Sequence, residues 1–270
     1  MKLSISNIAW RAEDDQAVYA LLRELKIDTI EAAPTRIVPN WDMATAEAAR
    51  AFGAQLKDEG LRCSSLQSLL YGLPALNLFG SDETRRDLAR QLDRVANFGA
   101  AMGARAFVFG SPKNRDRGGR SDNEAFAIAA EFFAAAGESY ARHGLCLCLE
   151  PNPTQYGCNF VTDSAAGAAL VRAVGSPGFR LHLDAACMHL AGEDGARAIE
   201  SCADVLAHFH ISEPFLGDFA KPEVDHRSLA SALRGMGWSK PVVVEMRATA
   251  TPLQTVRETL YRVTELYGPR

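Results

Sequence analysis

Hydrophobic and polar positions along this chain fall into short apolar bursts separated by longer stretches of helical period. The clearest burst is Leu145-Cys146-Leu147-Cys148-Leu149, which ends on Glu150 and is stopped by Pro151 and Pro153. A short unbroken apolar run reads as a strand buried on both faces, as in a parallel sheet covered by helices, and the two prolines forbid its continuation. Glu150 is therefore expected at the C-terminal end of a central strand. The same grammar recurs in Arg180-Leu181-His182-Leu183-Asp184, in Leu206-Ala207-His208-Phe209-His210 and in Val242-Val243-Val244-Glu245. Each of these runs closes on a residue able to bind a metal.

Upstream, Leu3 to Trp10 alternates as a first strand, Ile27 to Glu31 reads as a second, Leu61 to Gln67 as a third and Arg105 to Gly110 as a fourth. Helical sequence lies between them, from Asp14 or Asp15 to Lys26, from Thr45 to Glu59, from Ser81 to Met102 and from Ser121 to His143, the last three stopped by Gly60, Gly103 and Gly144. Ser121, with Glu124 three residues on, forms a capping box. Further helices are expected from Thr162 or Ser164 to Val174, Gly195 to Cys202, Ser228 to Met236 and Thr251 to Tyr267. Strand and helix thus alternate eight times, which favours an α/β fold of the (β/α)8 TIM barrel type over an open doubly wound sheet. No GxGxxG follows the first strand, so the signature of the open alternative is missing.

Length agrees with this picture. A barrel of this kind takes about 250 residues, and the 270 here, with no linker or low-complexity tract, make one domain over residues 1–270. The formal charge of -4 gives no basis for a nucleic-acid or anionic-membrane surface. No apolar run is long enough to span a bilayer, and the N-terminus has no signal-peptide pattern, so a cytoplasmic protein is expected. The six cysteines show no paired CxxC spacing and are expected to be reduced.

Active sites of such barrels are built at the C-terminal ends of the strands, where Glu150, Asp184, His210 and Glu245 all fall. Three carboxylates and one imidazole make a hard, oxygen-rich donor set, suited to Mn2+, Mg2+ or Co2+. Three unpaired carboxylates at one strand mouth would repel each other, and a divalent cation removes that cost. Taken singly, each acid could equally be a helix cap or an ion-pair partner, and His182 and His208 could be ordinary core histidines. Recurrence at the same point of four consecutive units is what favours a metal site.

The stretches Leu149-Glu150-Pro151-Asn152, Leu183-Asp184, His208-Phe209-His210 and Val244-Glu245-Met246 resemble those of the xylose isomerase-like barrels, the sugar phosphate isomerase/epimerase group. So does the late segment from Val224-Asp225-His226 to Gly237-Trp238, and the resemblance spans nearly the whole chain. It implies a metal, Mn2+ first among the candidates, held by Glu150, Asp184, His210 and Glu245 and chelated by adjacent oxygens of a ketose. It also implies that Glu150 and Glu245 face opposite sides of the substrate as the acid/base pair, one removing a proton next to the carbonyl and the other returning one.

Three positions depart from the ketose 3-epimerases of that group. Cys187 stands where they usually carry a substrate-binding histidine, with His189 two residues on; Leu216 replaces an arginine and Tyr156 an acid. Endonuclease IV, a DNA-repair member, needs further histidines at the third and fourth strand ends, where this chain has Gln67 and Gly110-Ser111. The metal set is kept while the sugar-reading positions differ.

Other residues are candidate substrate contacts. The loop from Phe109 to Arg120 carries one lysine and three arginines, and Lys113 and Arg115, nearest the strand end, read as an anion grip or as part of a solvated loop. Gln67 and Glu31 end strands at the same mouth, although Glu31 could serve a helix cap. Glu213, just past His210, is a substrate contact or a solvated loop acid, Trp10 an apolar wall or simple packing, and Asp225 with His226 either further site candidates or a helix cap. The expected function is a divalent-metal-dependent isomerase or epimerase of a small ketose, sugar phosphate or sugar derivative, working through an enediolate. A dehydratase or lyase on a keto-sugar shares the first proton abstraction, and a non-catalytic sugar-binding barrel is the reading from another class. A small sugar is the partner expected, with no nucleic acid and no membrane. Barrels of this group often self-associate, so a homo-oligomer stays open.

Overall fold

The apolar bursts pair edge to edge into a closed parallel barrel in the order β1 to β8, in a computed structural model that describes residues 1–269. The strands are β1 Lys2–Ser6, β2 Thr29–Ala32, β3 Arg62–Leu66, β4 Ala106–Phe109, β5 Cys146–Leu149, β6 Phe179–Asp184, β7 Leu206–Ser212 and β8 Pro241–Glu245. Around them lie α1 Asp15–Glu24, α2 Ala46–Asp58, α3 Asp82–Met102, α4 Asp122–Arg142, α5 Ser164–Val174, α6 Ala185–Leu190, α7 Gly195–Ser201, α8 His226–Gly235 and α9 Pro252–Tyr267. The barrel closes through β1 and β8, with Leu3 beside Val242 and Ile5 beside Val244. This is a single (β/α)8 TIM barrel, as the alternation of bursts predicts.

Alternate residues of each strand face the helices or the barrel axis. The helix-facing set is large and apolar: Phe107 meets Tyr140 and Phe109 meets Phe133, each edge-on with ring centroids 5.3 Å apart, and Phe133 stacks on Phe179. Such aromatic contacts carry area and fix orientation, so α4 is pinned to β4 and to β6. The axis-facing set is small or polar. Ser4, Ser6, Glu31, Ser65, His182, His208 and His210 are all buried there. Branched aliphatics usually fill this space, and their replacement gives the barrel a polar column from one end to the other.

Local signals also hold. Ser121 Oγ accepts from the Glu124 amide while the Glu124 carboxylate accepts from the Ser121 amide, and Gly103 closes α3 at φ +100. Several boundaries shift by a residue or more, two of them beside the strand mouth. The first strand stops at Ser6, because Asn7 turns aside and its Oδ1 accepts from the Ala33 amide at 2.9 Å. β7 runs two residues past His210, since Ser212 still pairs with Glu245 of β8. The helix α6 was not expected: it follows β6 with no loop, started by Asp184, whose Oδ1 accepts from the Cys187 amide at 2.7 Å. Among the described residues no helix is long and apolar enough to cross a membrane.

Candidate active site

Register places the chemistry. On β6 and β7, Asp184 lies beside His210 and His182 beside His208, one layer deeper in the barrel. On β8, Glu245 is level with Ser212, just above. Glu150 leaves the end of β5 towards the same point because Gly110, at the end of β4, has no side chain. A Cβ on Gly110 would come within 1.8 Å of Glu150 Oε2.

One ligand atom from each of Glu150, His182, Asp184 and His210 lies within 4.8 Å of the others. Glu245 joins through Oε2, 3.3 Å from His210 Nδ1, and Asp184 Oδ2 is 3.9 Å from the same nitrogen. Accessibility divides the group: Asp184 and His210 are 3% and 1% exposed, whereas Glu150 and Glu245 keep 12% each. Only the two glutamates reach the cavity of about 250 Å³ at the mouth, which they line together with Gln67, Tyr71 and Ser111.

Electrostatics follow from burial. Asp184 is pushed up to about 7, by loss of solvent first and then by repulsion from Glu150 and Glu245. Burial also raises Glu150, against the opposing pull of His210 and Arg115. For His210 burial disfavours charge, but Glu31 and Glu245 outweigh it and hold the imidazole well above its usual range. His182 is held well below, by burial and the neighbouring rings of His210 and His208.

These residues fit a divalent cation. His210 Nδ1 and His182 Nε2 are buried without hydrogen-bond partners, although buried polar atoms are normally satisfied. Both stand beside carboxylates, at Glu245 and at Glu150. A cation among three carboxylates and His210 Nδ1 would relieve the repulsion that raises Asp184 and occupy the unpartnered nitrogen.

The other expected contacts scatter. Gln67 is at the mouth, its amide donating to Ser6 Oγ at 2.8 Å and its Oε1 accepting from Ser68. Cys187 is buried beside Asp184, its thiol pushed well up by burial and by that carboxylate, and His189 is exposed on α6. Lys113 is exposed and lines no part of the mouth cavity. Arg115 is fully buried in place of forming a solvent-facing grip; its Nη1 donates to the Phe109 carbonyl at 3.4 Å, and its charge lowers Glu150 from within. Glu213 is committed elsewhere, because Oε1 meets His226 Nε2 at 2.7 Å and Oε2 accepts from the Glu223 amide at 2.8 Å. Trp10 is buried packing, with its indole donating to Asp15, and Asp225 caps α8.

Sequence reasoning missed the role of Glu31. It is fully buried inside the barrel, with Oε1 2.8 Å from His210 Nε2 and Oε2 3.2 Å from His208 Nε2. It also missed an aromatic rim. Tyr156 accepts from the Phe215 amide at 2.9 Å and its ring packs edge-on against Phe215, in a loop where Phe215 and Leu216 both hold positive φ.

Comparison with known proteins gives one sequence match: residues 19–264 fit the profile of the xylose isomerase-like TIM barrel family. No curated protein sequence matches the chain. Solved structures do. A D-psicose 3-epimerase crystallised in the presence of D-fructose superimposes with a TM-score of 0.82 at 18% identity, over 100% of both chains. The 3-keto-D-glucoside 4-epimerase YcjR from E. coli gives 0.80 at 19%, over 98% of this chain and 99% of its own. The IOLI protein with a binding zinc atom gives 0.78 at 16%, over 100% of both.

Proposed function

The chain belongs to the xylose isomerase-like TIM barrel family, and from that premise we propose that it is a divalent-metal-dependent epimerase or isomerase of a small ketose or sugar derivative, with manganese as the metal. The observation that carries the proposal is the division within the buried cluster: Asp184 and His210 are sealed, whereas Glu150 and Glu245 open together into one mouth cavity. Two accessible carboxylates on separate strands suit an acid/base pair acting on opposite faces of one carbon.

In this reading Glu150, Asp184, His210 and Glu245 hold the cation. When bound, it supplies positive charge to the two adjacent oxygens of the substrate. Glu150 or Glu245 removes the proton from the carbon next to the carbonyl, and the other glutamate returns one to the opposite face. Gln67 offers a hydrogen bond to a hydroxyl from the third strand end. A sugar derivative, in preference to a free ketose, is supported by Tyr156, whose ring packs on Phe215, and by Leu216 beside it, because the resemblance to ketose 3-epimerases implies an acid at position 156 and an arginine at position 216. The similarity of the fold to that of a 3-keto-D-glucoside 4-epimerase agrees with that class of substrate.

The test is deuterium uptake followed by NMR in D2O with added Mg2+, over a panel of ketoses, ketose phosphates and keto-glycosides, against an EDTA-treated control. Metal-dependent exchange at a carbon next to a carbonyl, with appearance of an epimer, is the expected result. An unsaturated product would move the assignment to a lyase. Binding without exchange for any member of the panel would overturn the enzymatic reading.

A further inference from the structure

The opposite end of the barrel is not filled. Strand residues facing the axis there are small, Ser65, Ala106 and Cys146 among them, and they leave a cavity of about 560 Å³ at the N-terminal mouth. That end of a TIM barrel is ordinarily packed with branched aliphatics and serves stability. A void of this size therefore forfeits packing contacts that the fold could have had.

Its charge is one-sided. Arg105, Arg180 and Lys240 line it, and no carboxylate does. Among the described residues none of the three forms an ion pair with an acidic side chain. Arg105 donates to the Ala104 carbonyl and Arg180 to the Asp204 carbonyl, while Lys240 sits over the Trp238 ring at 5.4 Å. Each guanidinium keeps further donors, and the ammonium keeps its own. Two of the cations bear on a thiol: Cys146, half-buried in the wall and 3.6 Å from Cys148 Sγ, is held below the ordinary thiol range by its hydrogen bond to Cys148 and then by Lys240 and Arg180.

The geometry points to a second ligand site at the N-terminal mouth of the barrel, which takes a small phosphomonoester with a compact apolar body. Two guanidiniums and an ammonium around one cavity match a phosphate dianion better than a single carboxylate, which one guanidinium fork would satisfy. The Ser64 and Ser65 hydroxyls add polar partners, and the remaining wall is largely apolar, from Ala106 to Pro241. His208 is shared: it lines this cavity and also meets Glu31, which in turn meets His210 at the other end.

Cys146 is a built-in reporter, since the other five cysteines are buried. The experiment alkylates the protein with iodoacetamide, a neutral reagent, and follows Cys146 by peptide mass spectrometry in the presence of inorganic phosphate, phenyl phosphate or benzyl alcohol. Phenyl phosphate is expected to protect Cys146 saturably, inorganic phosphate more weakly and benzyl alcohol not at all. In an Arg105→Gln, Lys240→Gln double variant, both positions being exposed, the half-protecting concentration, with protection normalised to that variant's own unprotected rate, should be at least tenfold higher than in the unaltered protein. An Arg180→Gln variant provides a second reading should the double variant fold poorly. Absence of protection, equal protection by benzyl alcohol, or an unchanged midpoint in a folded variant would overturn the site. If Cys146 resists alkylation, isothermal titration with phenyl phosphate replaces it, and heat that persists unchanged in the variants assigns binding elsewhere. None of these outcomes depends on turnover at the other mouth.

Discussion

Glu31 Oε1 lies 2.8 Å from His210 Nε2, a contact between residues 179 apart in sequence. It leaves Nδ1 of the same ring turned towards Asp184 and Glu245. A carboxylate behind an imidazole fixes the ring and raises its basicity, and losing such a partner typically costs about 10–100-fold in metal affinity or activity. Glu31→Gln keeps the size and removes the charge. Mn2+ affinity by isothermal titration should fall within that range while the circular dichroism stays native; an unchanged affinity would show that Glu31 does not support a metal ligand.

The two accessible glutamates make a sharper prediction. With saturating metal, Glu150→Gln and Glu245→Gln should each lower net epimerisation by about 10²–10⁴-fold, the usual contribution of a general acid or base. Exchange need not follow. If each glutamate serves one face, the survivor can still remove a proton from one epimer and return a deuteron to the same face. Solvent deuterium should therefore enter one epimer in Glu150→Gln and the other in Glu245→Gln. Loss of exchange into both epimers in one variant, with full exchange in the other, would mean a single base.

The barrel and its four converging strand ends were legible because each strand is a local apolar run, and each run closes on an acid or imidazole at the same mouth. Period and punctuation carry that information within a few residues. The parts that were not legible are long-range or locally ambiguous. Glu31 gives no sign of its partner because the contact joins β2 to β7 across the barrel interior. Arg115 reads as a surface cation beside Lys113 and Arg117, and only the fold shows that its loop turns it inward. Glu213 looks available until His226, thirteen residues on, takes one of its oxygens. Helix α6 is six residues long, too short for a helical period to emerge, and its capping residue was already read as a strand end.

Gly110 offers a test in which no metal-site residue is altered. A methyl group there would meet Glu150 Oε2 at 1.8 Å, so the carboxylate has to leave its present position. The backbone at Gly110 does not hold a positive φ, so alanine is tolerated conformationally. Gly110→Ala should fold normally and lose metal affinity or turnover by about tenfold or more, because displacement of a catalytic group by an ångström is costly. A folded variant with unchanged kinetics would show that Glu150 works from another rotamer.

Metal uptake should be steeply dependent on pH. In the metal-free protein Asp184 is raised to about 7, so about half of it is protonated at neutral pH and more below, and His210 is held well above its usual range, towards its protonated form. A ligand atom must lose its proton to bind, so affinity for Mn2+ should fall at least about tenfold per pH unit below 7, with protons released on binding. The same shifts act on stability without metal. Between the unfolded value of 3.8 and about 7, the folded Asp184 keeps a proton that the unfolded chain has lost, so this group's contribution falls as pH rises through that window and is level above it. Buried Glu150 acts in the same direction. His182 and His208 act oppositely: held neutral by burial, they disfavour the fold as pH drops below 6.5, where the unfolded imidazoles gain charge. The opposing signs flatten a melting curve against pH but leave the binding curve steep, so titration of Mn2+ from pH 6 to 8 in two buffers of different ionisation enthalpy is the measurement to make. Affinity that is level across that range, with no proton release, would mean that the cation is not held by Asp184 and His210.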